Sequence, residues 1–195
     1  MESMPMHSSL QNILDRIRKL QETSRRILVT MDGPCASGKS TLARILAEAS
    51  GGYLLHTDDF VVPHPQKTPE RLAIPGGNCD WERLVGEVLS PWQQREPVSV
   101  RKYLFRDHQM SAPELLPDAD LLILEGSYCN LPAIREYASL RLFVDTMPTV
   151  RRARLEKRES AESLRRFDEL WIPLENAYFE AYHLPDKGCL LISGA

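Results

Sequence analysis

The sequence predicts an α/β fold in which a parallel β-sheet is covered by helices. Three observations lead to this prediction. Short apolar runs of strand length recur along the chain, and residues 121–124 are apolar throughout, as in a strand buried on both faces. Segments with helical periodicity lie between these runs. A glycine-rich turn joins one run directly to a helical segment. At 195 residues the chain is expected to form a single domain, residues 1–195.

Composition narrows the class of protein. The chain is 43% hydrophobic and 26% charged, which is enough apolar sequence for a sizeable core. A formal net charge of -3 and a pI near 6.0 argue against a nucleic-acid-binding protein, which normally carries a basic surplus. We therefore expect a small-molecule partner, with no nucleic acid and no membrane. The sequence leaves the oligomeric state open, a homo-oligomer included.

The spacing of the cysteines and the length of the apolar segments suggest the cellular compartment in which the protein is located. The four cysteines are widely spaced without a Cys-x-x-Cys pair, so neither a zinc site nor a disulfide framework is indicated. No segment resembles a signal peptide, and no run approaches the length of about 18 apolar residues expected of a membrane span. A cytoplasmic protein is expected.

The first element along the chain is an amphipathic helix within residues 1–24. Its apolar side chains fall on one helical face: Leu10, Ile13, Leu14, Ile17 and Leu20. Such a stripe can cover the sheet of its own domain or face a membrane or a partner. We interpret this apolar stripe as the face that covers the sheet.

The glycine-rich turn comes next, at residues 33–41. It reads Gly-Pro-Cys-Ala-Ser-Gly-Lys-Ser-Thr, follows the apolar residues 27–31 and opens a helical run at 42–47. This is a phosphate-binding P-loop in its usual setting, strand before and helix after. Its backbone N–H groups, together with the helix N-terminus, are expected to bind the phosphates of a nucleoside triphosphate. The expected nucleotide-binding residues are Gly33, Ala36, Ser37, Gly38, Lys39, Ser40 and Thr41.

A second strand, at residues 53–57, ends in Asp58 and Asp59. Ligands bind beyond the carboxyl ends of strands in open α/β sheets, so these carboxylates are expected beside the P-loop. Residues 61–79 carry four prolines and a Gly-Gly pair, which predicts a long irregular loop of functional type. Asp80 is then placed to cap a helix of about ten residues that starts at Trp81.

The second half of the chain supplies the remaining strands. Residues 97–105 are β-prone, and the buried run 121–124 ends at Glu125, a position suited to a second acidic group beside the phosphates. Two further strands are predicted at residues 140–145 and 189–192.

Residues 151–166 concentrate positive charge, with seven basic and three acidic side chains. Arg151, Arg154 and Arg158 are spaced to lie on one helical face. A solvated helix with internal ion pairs would also explain this composition. Because phosphoryl transfer needs cations over the spreading phosphate charge, we interpret residues 147–172 as an arginine-rich lid that faces the phosphates.

These groups can divide the work of phosphoryl transfer. Lys39 and the loop amides would grip the phosphates, while Ser40, Glu125 and Asp58 are candidates to hold Mg²⁺. Asp58 is also the candidate general base, although a carboxylate at a strand end can be an inert terminator. The predicted catalytic set is thus Asp58, Lys39, Arg154 and Arg158.

The combination of motifs resembles the uridine kinase family of P-loop kinases, which is itself similar to nicotinamide riboside kinase, pantothenate kinase and phosphoribulokinase. The resemblance runs from about residue 26 to the end. Its motifs are the P-loop, Thr-Asp-Asp-Phe at 57–60, Asn-Cys-Asp at 78–80, Tyr-x-Phe-x-x-His at 103–108, Glu-Gly at 125–126 and the arginines after Val-Asp-Thr at 144–146.

The resemblance implies a three-layer α/β/α fold whose five-stranded parallel sheet has the order 2-3-1-4-5. It implies that Asp58 is the base toward a ribose hydroxyl and that Asp80 binds ribose hydroxyls. It further implies a base pocket formed by Tyr103, Phe105 and His108, and lid arginines at Arg151, Arg154 and Arg158. Without the resemblance, Tyr103 and Phe105 would be interpreted as core residues and His108 as a residue with a structural role.

The expected activity is ATP- and Mg²⁺-dependent transfer of the γ-phosphate to a hydroxyl of a nucleoside, uridine- or cytidine-like, or of a similar small metabolite. Two alternatives stay open. A nucleoside monophosphate kinase would need extra cations facing the acceptor phosphate, for which Lys67, Arg71 and Arg83 are available. A regulatory P-loop ATPase would hydrolyse ATP without any small acceptor.

Overall fold

The computed structural model describes residues 6–194, with side chains described from residue 10 onward. Residues 1–5 of the predicted N-terminal helix lie outside this range. The α-helices are, in chain order, α1 Met6–Gln21, α2 Lys39–Ser50, α3 Pro69–Ala73, α4 Trp81–Arg83, α5 Ser90–Gln93, α6 Pro132–Arg135, α7 Pro148–Arg158, α8 Ala161–Arg166 and α9 Ile172–Ala181. The strands are β1 Ile27–Asp32, β2 Tyr53–His56, β3 Ser99–Val100, β4 Tyr103–Leu104, β5 Gln109–Met110, β6 Glu114–Leu115, β7 Leu121–Glu125, β8 Ala138–Asp145 and β9 Cys189–Ser193. Single-turn 3₁₀ segments span Thr57–Phe60 and His64–Gln66, and π-helical segments span Leu84–Leu89 and Phe167–Trp171.

Five strands form the main sheet, in the order β2-β7-β1-β8-β9, and every pairing is parallel. This confirms the predicted α/β class. Counted among the five sheet strands alone, the order is 2-3-1-4-5. This is the predicted order. The labels β7, β8 and β9 are higher because four two-residue strands, β3 to β6, come earlier in the chain and pair outside this sheet.

The central strands are buried on both faces, as the apolar run at 121–124 predicted. Along β7, Leu122 and Leu124 pack into one core, whereas Leu121 and Ile123 pack into a second core on the opposite face. The carboxyl ends of β1, β2 and β7 meet at one edge of the sheet, and the functional loops follow from this edge.

The N-terminal helix packs against the protein itself. Ile13 is 0% and Ile17 is 1% exposed, and both belong to the core that α2 forms with the sheet. Since the apolar stripe is used in this core, the structure agrees with the interpretation that α1 covers the sheet. No helix in the described part of the chain combines the length and the apolar character needed to cross a membrane.

The structure differs from the sequence predictions in three connecting regions. The β-prone residues 97–105 form only β3 and β4, which belong to two separate two-stranded ladders. The helix expected to run for about ten residues from Trp81 continues through a π-helical segment to Gln93. The loop at 61–79 contains α3 and a 3₁₀ turn. These differences arise where tertiary contacts, rather than local periodicity, select the conformation.

Candidate active site

The P-loop connects β1 to α2. Gly33 opens the loop with φ 142°, and any side chain there would collide with the backbone carbonyl of Val144. Gly38 has φ 99° and is the residue from which α2 starts. A loop of this shape at a helix N-terminus offers backbone N–H groups and the positive end of the helix dipole to an anion.

Protein donors occupy several carbonyl groups of this loop. Lys39, which is 9% exposed, donates from Nζ to the Pro34 carbonyl at 3.3 Å. Arg154 of α7 donates to the Ala36 carbonyl at 3.0 Å, and the Thr146 hydroxyl donates to the Ser37 carbonyl at 2.9 Å. The arginine-rich helix therefore contacts the P-loop directly through Arg154.

Glu125 ends β7 and is held from two sides. The Ser40 hydroxyl donates to its Oε2 at 3.1 Å, and Nδ1 of His56 lies 2.6 Å from its Oε1. His56 is the register partner of Glu125 on the neighbouring strand β2. This hydrogen bond raises the pKa of His56, although partial burial opposes the effect. A hydroxyl and a carboxylate so placed beside a P-loop are the oxygen ligands that Mg²⁺ prefers.

Asp58 lies in the 3₁₀ turn that follows β2, and it lines the same cavity as the P-loop. Burial raises the pKa of its carboxyl group, while the nearby Lys39 ammonium acts in the opposite direction. A raised pKa makes a carboxylate a stronger proton acceptor.

A cavity of about 680 Å³ brings most of the predicted residues together. The predicted residues that line it are Ala36, Ser37, Gly38, Lys39, Ser40, Thr41, Asp58, Phe105, Glu125, Arg154 and Arg158. Gly33 lies at the start of the P-loop behind them. Besides Gly33, four predicted residues are absent from the lining: Asp80, Tyr103, His108 and Arg151.

Asp80 is engaged in local structure. Its side chain accepts a hydrogen bond from the backbone N–H of Arg83, which makes it the N-cap of α4, as predicted. Its second oxygen lies 3.1 Å from Nε of Arg83. In this structure both oxygens of Asp80 therefore face protein donors.

Tyr103, Phe105 and His108 form one aromatic group, but only Phe105 reaches the cavity. The Tyr103 hydroxyl accepts a hydrogen bond from the His64 backbone N–H at 3.1 Å and lies 3.3 Å from Nδ1 of His108. Tyr103 and Phe105 contact edge to face, with centroids 5.3 Å apart. Arg151, the fourth predicted residue outside the cavity lining, donates a hydrogen bond to the carbonyl of Thr146 at 3.2 Å.

Several cavity residues carried no signal in the sequence. Glu175 of α9 is 5% exposed; its Oε2 accepts a hydrogen bond from the Cys35 backbone N–H at 2.9 Å, and its Oε1 accepts one from the Ser127 hydroxyl. Phe167 and Trp171 form an aromatic wall, and Asn78 adds a buried amide. Asn78 differs from Glu175, Phe167 and Trp171 because it belongs to a quoted motif, Asn-Cys-Asp at 78–80, in which the prediction falls on Asp80.

Behind the P-loop lies a buried carboxylate, Asp32. It accepts hydrogen bonds from the backbone N–H groups of Gly33 and Asn130 and from the Tyr178 hydroxyl. Burial raises the pKa of Asp32 to about 6, and these hydrogen bonds counteract part of that effect. Tyr178 and Glu175 are three residues apart on α9, so this helix holds the P-loop region at two points.

Among the described residues, no group of three or more His, Cys, Asp and Glu side chains forms a dedicated metal cluster. A Mg²⁺ site in a nucleotide-binding protein does not need one, because phosphates and water supply most ligands.

Comparison with known proteins gives the family context. A profile of the phosphoribulokinase/uridine kinase family matches residues 76–169. The resemblance read from the motifs is thereby confirmed. No curated protein sequence is significantly similar to the chain.

Solved structures share the fold. A possible uridine kinase from Bacillus stearothermophilus has a TM-score of 0.72 at 16% identity, covering 97% of this chain and 100% of that one. A candidate fructose transport system kinase from Silicibacter sp. TM1040 has a TM-score of 0.63 at 20% identity, covering 92% and 89%. The YGR205w protein has a TM-score of 0.64 at 18% identity, covering 98% and 95%. The chain has the α/β fold of the P-loop kinases. At these identities the structural likeness establishes the fold and leaves the activity and its acceptor to be argued from the site of this protein.

Proposed function

We propose that this P-loop kinase transfers the γ-phosphate of ATP to a hydroxyl group of a nucleoside, uridine- or cytidine-like, or of a similar small metabolite. The observation that carries the proposal is the shared cavity, in which the carboxylate Asp58 faces the same space as the P-loop and Arg154. A phosphate donor site and a proton acceptor in one enclosed space are what transfer to a hydroxyl requires.

The step would proceed by in-line displacement. As the acceptor oxygen forms a bond to the γ-phosphorus, its proton passes to Asp58, and the bond between the γ-phosphorus and the bridging oxygen breaks, leaving the electron pair on ADP. Asp58 has a raised pKa and lines the cavity, which supports its role as the base. Of the two roles expected for Asp58, we propose this one, because direct coordination to a metal would lower its basicity.

Lys39 and Arg154 would neutralise the charge that develops on the phosphates. Arg154 already contacts the P-loop through the Ala36 carbonyl, and Arg158 lines the cavity one helical turn further along α7. Ser40 and Glu125 would hold Mg²⁺, which would neutralise phosphate charge when bound. The 3.1 Å contact between the two side chains supports that pairing.

The residues around the cavity also bear on the alternative of a nucleoside monophosphate kinase. Two of the three cations available for an acceptor phosphate are engaged elsewhere: Arg71 pairs with Glu82 at 2.7 Å, and Arg83 pairs with Asp80 at 3.1 Å. The third, Lys67, lies over the rings of Phe105 and Trp171. The ion pairs of the two arginines favour an acceptor without a phosphate group.

We also propose a cytoplasmic location and a small-molecule acceptor as the principal partner. All four cysteines are free thiols, and three of them are buried, which suits a reducing compartment.

An acceptor-dependent assay of ADP release tests the activity, with a panel of nucleosides, nucleoside monophosphates, vitamins and sugars. ADP release that never depends on an acceptor would instead indicate a regulatory ATPase.

The base assignment has its own test. Asp58→Asn removes the proton acceptor but keeps the size of the side chain, so kcat should fall by a factor of about 10² to 10⁴ while the Kd for ATP stays nearly unchanged. Asp59→Asn is the matched control, because Asp59 is the neighbouring carboxylate and does not line the cavity. An equal loss of ATP binding and turnover in Asp58→Asn would contradict the assignment.

A further inference from the structure

Strand β1 ends in a carboxylate to which the proposed phosphoryl transfer gives no role. Asp32 directly precedes the P-loop and is 0% exposed. Within the described residues its charge is met by hydrogen bonds rather than by an ion pair, since Lys39, the cation that acts on it, donates to the Pro34 carbonyl. A buried charge is costly to keep, so one placed next to a binding loop is a candidate for a functional role.

Three donors surround the Asp32 carboxylate. Its Oδ1 accepts a hydrogen bond from the Gly33 N–H at 2.8 Å. Its Oδ2 accepts one from the Asn130 N–H at 3.0 Å and one from the Tyr178 hydroxyl at 2.7 Å. Backbone N–H groups can only donate, so a proton on either oxygen would face a donor and weaken that hydrogen bond. The ionised carboxylate is the form that accepts all three.

The hydrogen bond to Gly33 holds the peptide at which the P-loop leaves the sheet. Gly33 has φ 142°, and a side chain there would collide with the Val144 carbonyl, so the backbone has little room for another path. Gly33 does not line the cavity, and its N–H is directed at a carboxylate that is fully buried. This N–H therefore supports the loop, while the N–H groups that follow are left for the phosphates.

Tyr178 connects this carboxylate to a helix face that also reaches the cavity. Residues 161–181 form one continuous helical segment, in which α8, the π-helical turn and α9 follow each other without a break. Four side chains recur on one face of it at spacings of three or four residues: Phe167, Trp171, Glu175 and Tyr178. The first three line the cavity, and the fourth, 0% exposed, continues the row behind the P-loop.

From these contacts we infer that Asp32 is a positioning residue: its ionised carboxylate, supported by Tyr178, fixes the start of the P-loop in the conformation that binds the phosphates of ATP. The residue acts through the loop backbone and does not touch the nucleotide. The inference rests on the proposed function, since it assigns a role in binding the phosphate donor.

The ionisation of Asp32 gives the inference a signature of its own. Burial raises the pKa of Asp32 to about 6, whereas its three hydrogen bonds and the charge of Lys39 act in the opposite direction. The other titratable groups that act on it are Tyr178, Tyr128 and Cys129, and burial raises the pKa of each of them. Asp32 is therefore the member of this cluster that changes charge as the pH falls from 8 to 5.

Tyr178→Phe removes one hydroxyl and keeps the ring. At pH 8.5 Asp32 is ionised in both proteins, so they differ in the hydrogen bond and not in charge. The Kd for ATP should rise about tenfold, as expected when a hydrogen bond to a charged group is lost. On acidification the affinity should start to fall at a pH about one unit higher than in the unmodified protein, because the lost hydrogen bond had lowered the pKa of Asp32.

Tyr182→Phe is the matched control. Tyr182 lies one helical turn beyond Tyr178, and its hydroxyl is directed at the Pro75 carbonyl, 3.5 Å away. This variant should keep both the Kd for ATP and its pH dependence. His56 and Asp58 also titrate, but they are the same in every protein compared, so the difference between the curves reports on Asp32.

Asp32→Asn separates the hydrogen bonds from the charge. Loss of a negative charge alone would reduce the repulsion of the phosphates and tighten ATP binding. The inference predicts the opposite, a rise in the Kd for ATP of about threefold or more at pH 8.5. Because the two residues act as one unit, adding Tyr178→Phe to Asp32→Asn should change the Kd by no more than about twofold.

Calorimetric titration of ATP across this pH range, with the melting temperature of each variant, provides the measurement and needs no acceptor. The inference is wrong if Tyr178→Phe binds ATP as Tyr182→Phe does at every pH, even where it melts at a lower temperature. It is equally wrong if Asp32→Asn binds ATP more tightly than the unmodified protein, or if Tyr178→Phe has the same effect with and without Asp32. In these cases the proposed function stands. If the unmodified protein binds no ATP at any pH, both are wrong.

Discussion

At the scale of single residues, Glu125 shows how a hydrogen bond from a neighbouring strand can fix the orientation of a carboxylate in the candidate site. Its carboxylate is shared between Ser40 on the P-loop helix and His56 on the adjacent strand. His56 faces the oxygen that Ser40 does not contact, so it fixes the orientation of the carboxylate. Hydrogen bonds of this kind to a metal-binding group commonly change metal affinity by 10- to 100-fold.

We therefore expect His56→Ala to raise the Mg²⁺ concentration needed for half-maximal activity by about tenfold. His56→Asn, whose amide can still donate from a position close to Nδ1, should recover part of the loss. The measurement is a Mg²⁺ titration of ADP release at saturating ATP and acceptor. A Mg²⁺ dependence that is the same in all three proteins would show that His56 has no influence on this site.

Residue patterns predicted which residues share the cavity better around the P-loop than around the aromatic group. The positions of the P-loop, Asp58 and Glu125 were predictable because each is a short local signal at the end of a strand. Tyr103 and Phe105 share a spacing that suggested one pocket face, but β4 ends at Leu104, and only Phe105 reaches the cavity. Strand alternation does not extend past the end of a strand.

At the scale of elements, α9 is the least expected contributor. It lies far along the chain from the P-loop, and the contact between Glu175 and Cys35 spans 140 residues. The side chains of α9 that contact the P-loop region are Glu175 and Tyr178, both buried. No local sequence pattern predicts that a helix will contact the P-loop, because the two segments come together only when the chain folds.

The contact of α9 with the P-loop should influence nucleotide binding. Glu175→Ala removes the acceptor of the Cys35 N–H, so the Kd for ATP should rise about tenfold, consistent with the loss of a hydrogen bond to a charged group. Glu175→Gln keeps an oxygen for that N–H and should bind ATP closer to the unmodified protein. Glu180→Ala, an exposed carboxylate on the same helix, serves as the control.

Calorimetric titration of ATP with these variants provides the measurement. If Glu175→Ala binds ATP as tightly as Glu180→Ala, the contact between α9 and the P-loop has no role in nucleotide binding and only fixes the position of the helix.

At the scale of the whole molecule, the sheet separates two hydrophobic cores, one on each face. The core on the side of α1 and α2 contains Ile13, Ile17 and Leu46, and none of these three side chains lines the cavity. Substitutions at these three positions should therefore reduce stability without changing the chemistry. The sequence predicted this packing from helical periodicity, which is a reliable signal for long amphipathic helices.

Ile17→Ala tests this separation. The free energy of unfolding should fall by about 2–4 kcal/mol, because a fully buried side chain is replaced by a smaller one, while the KM values for ATP and acceptor stay unchanged. Urea denaturation measures the first quantity and steady-state kinetics the second. Lys19→Ala, an exposed position on the same helix, should change stability by no more than about 0.5 kcal/mol. If Ile17→Ala has no more effect than this control, the packing of α1 contributes little to stability.

The wall that contains Asn78, Phe105 and Trp171 is built from segments outside the main sheet. The P-loop, Ser40 and Glu125, in contrast, lie on or directly beside β1, α2 and β7. Under the proposed function, mutations would remodel the wall that meets the acceptor while the sheet and the P-loop stay intact. A lineage would then exchange one acceptor for another without passing through a form that has lost ATP binding.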